Sequence, residues 1–138
     1  MKIDLTPLKK ALVSLSEAIS STTDDAFMAS LSASQRRTMR AGVIQNFEFT
    51  YELSWKMLRR QLRSEEGEGE VTRLSRKDLY RLAAQKGLID DPESWFVFHQ
   101  GRNETSHTYD ENTANDIYLL VLDFLPVAEK LFKKLEAR

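Results

Sequence analysis

Apolar residues recur along most of this chain at intervals of three and four positions, the spacing of one face of an α-helix. No segment shows the alternation of apolar and polar residues between hairpin turns that is typical of half-buried strands. The longest pattern follows Ser32 and Gln35, a capping-box pair, and predicts a helix over about residues 33–64. Such a helix is roughly 48 Å long and presents one inward stripe. The stripe consists of Ile44, Phe47, Tyr51, Leu58 and Leu62.

Helix signals also mark the start of the chain and the end of the long helix. Thr6 is a candidate N-cap and Pro7 suits the first helical position, so we expect the first helix to begin there. The segment 65–70 combines four glutamates with two glycines. That composition favours a flexible, solvated loop over a packed element.

Three further helices are predicted from their caps. Ser75, followed by an aspartate three positions later, predicts the start of a short helix that ends near Gly87. Asp91 and the proline after it predict the start of the next helix. Asn112 is the preferred cap of the last helix, which has a broad apolar face. That face consists of Ile117, Leu120, Val121, Phe124, Leu125, Ala128, Leu131, Phe132 and Leu135.

Together these elements favour an all-α fold, an antiparallel up-and-down bundle of four principal helices plus shorter helical pieces. The 138 residues suit one core and contain no internal repeat, so we expect a single domain over residues 1–138. The long helix would leave an apolar strip exposed in a monomer. We therefore also expect a homodimer.

Composition narrows the function classes. Twenty basic residues oppose twenty-one acidic ones, so any contact with nucleic acid must be local. Clusters such as Arg36, Arg37 and Arg40 could form a local patch, although a solvated helix face explains them equally well. The absence of cysteine excludes disulfides and thiolate metal sites. No apolar run approaches the roughly 20 residues of a membrane span. We expect no membrane segment and a cytoplasmic protein.

The densest chemistry lies in residues 102–109, RNETSHTY. Arg102 offers a planar fork of donors for a phosphate, and His107 can move protons near neutral pH, a pair suited to phosphodiester chemistry. On a straight helix the two point about 140° apart, so convergence needs a helix end or bend within residues 103–106, or a second subunit. Asn103 lies four positions before His107 and could orient its imidazole or bind a substrate oxygen.

Ordinary structural roles compete with this interpretation. Arg102 can pair with an acidic neighbour, His107 can pack a turn, and Tyr109 can be a half-buried aromatic. His99 lies on an apolar helix, and we predict a structural role for it. A metal site on His99 and His107 is disfavoured, because the two point about 80° apart and supply only two ligands. We therefore predict no bound metal and no cofactor.

Two parts of the sequence resemble known families. Arg102, His107 and Tyr109 form the pattern R-x4-H-x-Y, which resembles the motif of the HEPN superfamily of small helical proteins. Residues 41–56, AGVIQNFEFTYELSWK, are similar to nucleotidyltransferase substrate-binding proteins, which accompany a minimal nucleotidyltransferase encoded beside them. The combined match covers roughly residues 38–125. It implies a helical bundle, a homodimer, and a cleft at the dimer interface where the motifs of two subunits approach each other.

The resemblance also implies roles for the motif residues. In related toxins the cleft cleaves RNA without a metal, which implies His107 as general acid/base, Arg102 as the stabiliser of phosphate charge and Asn103 as a positioning residue. In the toxin–antitoxin branch the cognate minimal nucleotidyltransferase adds AMP to the motif tyrosine, here Tyr109, and so restrains the toxin. The alternative is a noncatalytic nucleotide- or substrate-binding subunit of the transferase. A third interpretation is a purely structural helical dimer.

Overall fold

The computed structural model describes residues 2–138, and within this range the chain forms α-helices, one 3-10 turn and short connections, without a strand. The helices are α1 (Thr6–Thr22), α2 (Asp25–Ala29), α3 (Ala33–Glu66), α4 (Glu68–Thr72), α5 (Arg76–Gln85), α6 (Pro92–Glu104) and α7 (Glu111–Glu136), and the 3-10 turn is Thr105–His107. This arrangement confirms the all-α prediction. The principal helices are α1, α3, α6 and α7, and none in the described range is long and apolar enough to cross a bilayer.

Helix α3 is the centre of the bundle and packs against α1, α6 and α7. Its predicted inward stripe is buried throughout. Phe47 of α3 meets Phe124 of α7 edge to face, with ring centroids 5.0 Å apart. Edge-to-face aromatic pairs add about 0.5–1.5 kcal/mol to the burial of their area. The core thus joins the long helices and fixes the face of α3 on which α6 rests.

The start of α3 confirms the capping box. Ser32 Oγ accepts a hydrogen bond from the Gln35 backbone N–H at 3.1 Å, and Gln35 Oε1 accepts one from the Ser32 N–H at 2.9 Å. The helix then runs two residues beyond the predicted end, to Glu66. At 1.5 Å per residue it is about 51 Å long.

The predicted loop at residues 65–70 is wrong in part, because only Gly67 interrupts the helical backbone there. Glu68 and Glu70 lie in the first turn of α4, where negative charge is favourable beside the positive end of the helix dipole. Val71 anchors this helix, with 1% of its surface exposed. The burial of Val71 therefore stabilises a short helix in a segment whose composition favours a solvated loop.

Two predicted caps are also wrong. The N-cap of α1 is Leu5, and Thr6 is already helical because Asp4 Oδ1 accepts a hydrogen bond from its N–H at 3.0 Å. The N-cap of α7 is Asp110, whose Oδ1 accepts from the Asn112 N–H at 3.2 Å. In both cases an aspartate close to the predicted cap accepts a hydrogen bond from a free backbone N–H group at the start of the helix.

Gly101 allows α6 and α7 to approach closely just before the reactive segment. A Cβ atom at Gly101 would lie 2.2 Å from Leu120 Cδ2, a distance at which something must shift. The last turn of α6, which carries Arg102, therefore packs directly against α7, and this contact fixes its position along α7.

Two other glycines give a test of the fold. Gly87 has φ +76°, in the left-handed region, and follows α5. We expect Gly87→Ala to lower the free energy of unfolding by about 1 kcal/mol, because a Cβ is disfavoured in that conformation. Gly42 is the matched control. A Cβ there meets nothing within 4 Å, so Gly42→Ala inside α3 should raise the free energy of unfolding by about 0.5–1 kcal/mol. Urea unfolding followed by circular dichroism measures the free energy of unfolding of both variants. Changes of the same sign in the two variants would contradict the different backbone conformations of Gly87 and Gly42.

Candidate functional site

Helix α6 ends inside the segment 102–109. Its last residue is Glu104, the 3-10 turn Thr105–His107 follows, and α7 begins four residues after that turn. Arg102 therefore lies on the last turn of a helix, whereas His107 and Tyr109 lie beyond it. A helix end within residues 103–106 is one of the arrangements that would allow Arg102 and His107 to converge, and it is present.

Thr105 holds this helix end together. Its hydroxyl donates to the Arg102 carbonyl oxygen at 2.7 Å and accepts from Arg102 Nη1 at 3.1 Å. Thr105 is also buried, with 7% of its surface exposed. One small side chain thus closes the helix and orients the guanidinium. Thr105 was not among the predicted site residues. Its role could have been inferred from its position just after a helical segment, where threonine hydroxyls bind free carbonyl groups.

Two glutamates on α3 surround the Arg102 guanidinium. Glu48 Oε2 lies 3.5 Å from Nη1, and Glu52 Oε1 lies 3.5 Å from Nε. The Nε contact lacks hydrogen-bond geometry, so the attraction is mainly electrostatic. About a third of the Arg102 side chain is exposed. An incoming phosphate therefore meets a cation that is already partly neutralised, and it must compete with both carboxylates.

His107 and Tyr109 are exposed next to each other. Tyr109 has 86% of its surface exposed, and its ring centroid lies 6.1 Å from that of His107 at an interplanar angle of 75°. Within residues 2–138 no hydrogen bond or ion pair joins His107 to Arg102. A single chain thus presents an acid/base group and a phenol on one exposed turn, with the cation on the adjacent helix end.

Asn103 contacts a different histidine from the one considered in the sequence analysis. Its side-chain amide nitrogen lies 3.4 Å from His99 Nε2, and the described residues place no hydrogen bond between Asn103 and His107. The end of α6 breaks the helical spacing of four positions on which the pairing with His107 depended. Asn103 remains exposed at the edge of the site.

A buried polar network lies behind Asn103. The Tyr51 hydroxyl is 2.5 Å from the Tyr80 hydroxyl, 3.1 Å from His99 Nδ1 and 3.2 Å from Arg76 Nη1. Arginine can only donate, so Arg76 occupies one lone pair of the Tyr51 oxygen. All three contacts are satisfied with a neutral His99 when His99 Nδ1–H donates to the other lone pair of Tyr51 and Tyr51 donates to Tyr80. His99 Nε2 then accepts from the Asn103 amide nitrogen, which lies 3.4 Å away.

The surroundings of His99 favour its neutral form. Burial lowers the pKa of His99, and the neighbouring Arg76 guanidinium lowers it further. A protonated His99 would place a second cation beside Arg76. These contacts support the structural role predicted for His99, which lies between the core and the motif.

The lowered pKa of His99 predicts a pH dependence of stability. The unfolded chain takes up the proton near pH 6.5, before the folded chain does, so stability is complete above that pH and falls as the pH drops towards the folded-state value. We expect urea midpoints to be lower at about pH 5.5 than at about pH 7.5, and His99→Gln to reduce this difference. Aspartates and glutamates ordinarily titrate below this window.

The matched control for this experiment changes the other histidine of the chain. His107 is exposed and lies outside the network, so we expect His107→Gln to keep the full difference between the two pH values. If the difference in urea midpoint between the two pH values persisted in His99→Gln and disappeared in His107→Gln, His99 would not be its source.

Within residues 2–138 no three histidine, aspartate or glutamate side chains are grouped so that they could hold a metal ion.

The family described as "Nucleotidyltransferase substrate binding protein like" matches residues 3–137. The chain belongs to this family. Membership confirms the resemblance that was based on residues 41–56 and on the R-x4-H-x-Y pattern.

Several relatives share the fold of this nucleotidyltransferase substrate-binding family member. The "Probable ribonuclease HepT" of Haemophilus influenzae is 36% identical over 138 residues, which cover 99% of this chain and 94% of that protein. A solved H. influenzae structure, described as the fold of a substrate binding domain of a nucleotidyltransferase, has a TM-score of 0.93 at 35% identity and covers 96% of this chain and 99% of that one. A crystal structure from Thermus thermophilus has a TM-score of 0.73 at 30% identity and covers 93% of this chain and 98% of that one.

The structure adds to the motif of this family member three residues that the sequence analysis did not assign to the site. Glu48 and Glu52 hold Arg102 electrostatically, and Thr105 holds it by hydrogen bonds. The two glutamates precede Arg102 by about fifty positions, so only tertiary contacts reveal the connection.

Proposed function

We propose that this chain is a metal-independent ribonuclease toxin of the HEPN superfamily, restrained by AMP addition to Tyr109. The observation that carries the proposal is the end of α6 inside the motif, which keeps Arg102 on a rigid helix end and exposes His107 and Tyr109 on the next turn. The 36% identical relative named as a probable ribonuclease supports the same chemistry.

The proposed cleavage uses the ribose 2′-hydroxyl as the nucleophile. Its oxygen forms a bond to the adjacent phosphorus, the bond from phosphorus to the 5′-oxygen breaks, and the products are a 2′,3′-cyclic phosphate and a 5′-hydroxyl. His107 takes the proton of the 2′-hydroxyl or gives one to the leaving 5′-oxygen. Arg102 stabilises the charge that develops on the phosphate. Asn103, oriented by His99, positions a substrate oxygen.

We propose that a second copy of the chain completes the cleft. One exposed histidine serves one proton transfer at a time, and a dimer supplies two at the same phosphate. Phe49, with 43% of its surface exposed, lies on α3 between Glu48 and Glu52, the two glutamates that contact Arg102. A large exposed apolar side chain in this part of α3 is a suitable contact for the second copy.

Tyr109 is the most exposed of the four tyrosines of the chain, which supports it as the site of AMP addition. Tyr51 and Tyr80 are buried, and the half-buried Tyr118 donates its hydroxyl to Thr22. In the proposed reaction the Tyr109 oxygen forms a bond to the α-phosphorus of ATP, pyrophosphate leaves, and the phenol proton is lost to solvent. The added nucleotide brings bulk and negative charge within two residues of His107, which repels RNA.

A second candidate function is that of a noncatalytic nucleotide- or substrate-binding subunit of the transferase. The solved relative described as a substrate binding domain, with a TM-score of 0.93, favours it. This function requires complex formation and activation of the transferase, but no cleavage of RNA.

The two functions are separated by one assay on the purified chain. We incubate the chain with end-labelled RNA in the presence of a chelator, then repeat the reaction after treatment with the cognate transferase and ATP. The ribonuclease proposal predicts fragments that end in 2′,3′-cyclic phosphate, and loss of cleavage after the treatment. Intact RNA together with a stimulated transferase would support the second function and reject the first.

A further inference from the structure

Two cavities lie beside Tyr109 and the start of α7. One cavity of about 290 Å³ is lined by Tyr109, Thr108, Arg37 and Arg40, and a neighbouring cavity of about 350 Å³ is lined by the same two arginines and by Tyr118. The two cavities share Arg37, Arg40 and Glu111, so they adjoin one another between α3 and the first turns of α7. We call the pair of cavities the arginine groove.

One of the three arginines that line the arginine groove has no side-chain partner among residues 2–138. Arg36 donates to the Leu31 carbonyl oxygen at 2.6 Å, which orients its guanidinium. Arg40 pairs with Glu111 at 3.0 Å, and Glu48, the other carboxylate of the groove, lies 3.5 Å from Arg102. Arg37 is exposed and lines both cavities, and its guanidinium makes no ion pair or hydrogen bond within residues 2–138.

The charges around these arginines on α3 also favour an anion. Arg37 and Arg40 are the fifth and eighth residues of the helix, and its first turn contains no acidic residue to compensate them. Glu111 neutralises Arg40, but Arg37 keeps an uncompensated charge. A phosphate is the bidentate partner that such a guanidinium binds well.

The far cavity provides surfaces for a nucleoside. The ring of Tyr118 is half-buried and fixed, because its hydroxyl donates to Thr22 Oγ1 at 2.8 Å. Such a ring presents a face on which a base can stack. Asn115 is exposed beside it, and its amide can both donate to and accept from a base edge. The groove thus places a cation near Tyr109 and an aromatic face farther along.

We propose that the arginine groove binds a nucleoside monophosphate, namely the AMP group carried by Tyr109. The proposal rests on the modification of Tyr109 in the proposed function. A phosphate esterified to the Tyr109 oxygen begins at the mouth of the groove, within the cavity lined by Arg37 and Arg40. The adenosine then extends towards Tyr118. The AMP group thus binds to the same chain that carries it, and the nucleotide stays beside the motif.

Titration with free 5′-AMP tests the groove without the transferase and without RNA cleavage. We follow the amide signals of the ¹⁵N-labelled chain and expect AMP to shift those that line the groove, whereas adenosine, which lacks the phosphate, should shift them far less. Arg37→Gln should weaken AMP binding about tenfold, because it removes a charge-assisted pair of hydrogen bonds. Arg60→Gln is the matched control, since Arg60 is an exposed arginine on the same helix about 35 Å away.

A second measurement uses the chain after AMP addition to Tyr109. Attachment raises the local nucleotide concentration to the millimolar range, so docking is detectable even if free AMP binds weakly. We expect the signals of Asn115 and Tyr118, at the far end of the groove, to shift on modification of the wild-type chain and to shift less in Arg37→Gln. Signals of these two residues that remain unshifted in the modified wild-type chain would overturn the proposal.

A third arm separates the AMP group from an RNA strand. Short single-stranded RNA is titrated into the His107→Ala chain, which cannot cleave it if the proposed function holds. Groove shifts with RNA but with neither form of AMP would overturn the proposal. Modification of Tyr109 without an effect of Arg37→Gln would reject the groove and leave the proposed function intact. Specific binding of free AMP in the groove, with Tyr109 left unmodified by the transferase, would support the groove and reject that function.

Discussion

Replacing His107 by alanine is expected to reduce RNA cleavage by at least about 100-fold while the helical bundle persists. General acid/base groups typically contribute about 10²–10⁴-fold, and loss of the imidazole removes that contribution. The fold should be unaffected because His107 is exposed and lies on a short turn outside the core. Cleavage of end-labelled RNA measures the effect, and circular dichroism checks the fold.

Matched variants show whether this loss belongs to the motif. Arg102→Ala should lose about as much as His107→Ala, and Arg102→Lys should recover only part of the rate, since lysine keeps the charge but loses the fork. Ser106→Ala is the control on the same turn, where the hydroxyl makes only a weak contact with its own helix end. Equal activity in wild type, His107→Ala and Arg102→Ala would reject the mechanism.

Replacing Tyr109 by phenylalanine is expected to abolish AMP addition and to leave the ribonuclease unrestrained by its partner. Phenylalanine keeps the ring beside His107 but lacks the acceptor oxygen. The other tyrosine hydroxyls are buried or hydrogen-bonded, so they should not replace it. Incubation with the transferase and ATP, followed by measurement of the intact mass, should show AMP additions on the wild type and none on Tyr109→Phe.

The cleavage assay completes this experiment. Pretreatment with transferase and ATP should suppress RNA cleavage by the wild type and spare cleavage by Tyr109→Phe. Pretreatment without ATP is the control, because it keeps any inhibition caused by complex formation alone. AMP additions that persist in Tyr109→Phe, or map to a different residue, would reject Tyr109 as the acceptor.

The sequence predicted the long helix well because its information was local. The Ser32–Gln35 capping box and the apolar stripe depend on residues three or four positions apart, and both are present as predicted. The cap of the last helix was predicted wrongly. Asp110 rather than Asn112 caps α7, because it is placed first after the 3-10 turn to bind the free N–H groups. Helix α4 could not be predicted from its composition, because the burial of Val71 decides it.

For the candidate site, the sequence by itself determined the chemical groups, the family and the condition for Arg102 and His107 to converge, namely a helix end or bend between them or a second subunit. Helical periodicity and the R-x4-H-x-Y pattern carry that information within a few residues. Only the tertiary structure decided which distant side chains act on these groups. Glu48 and Glu52 surround Arg102, and Tyr51 orients His99 behind Asn103, across separations of about fifty positions. The physical reason is that electrostatics and hydrogen bonding depend on distance in space, which helix packing sets and local spacing does not.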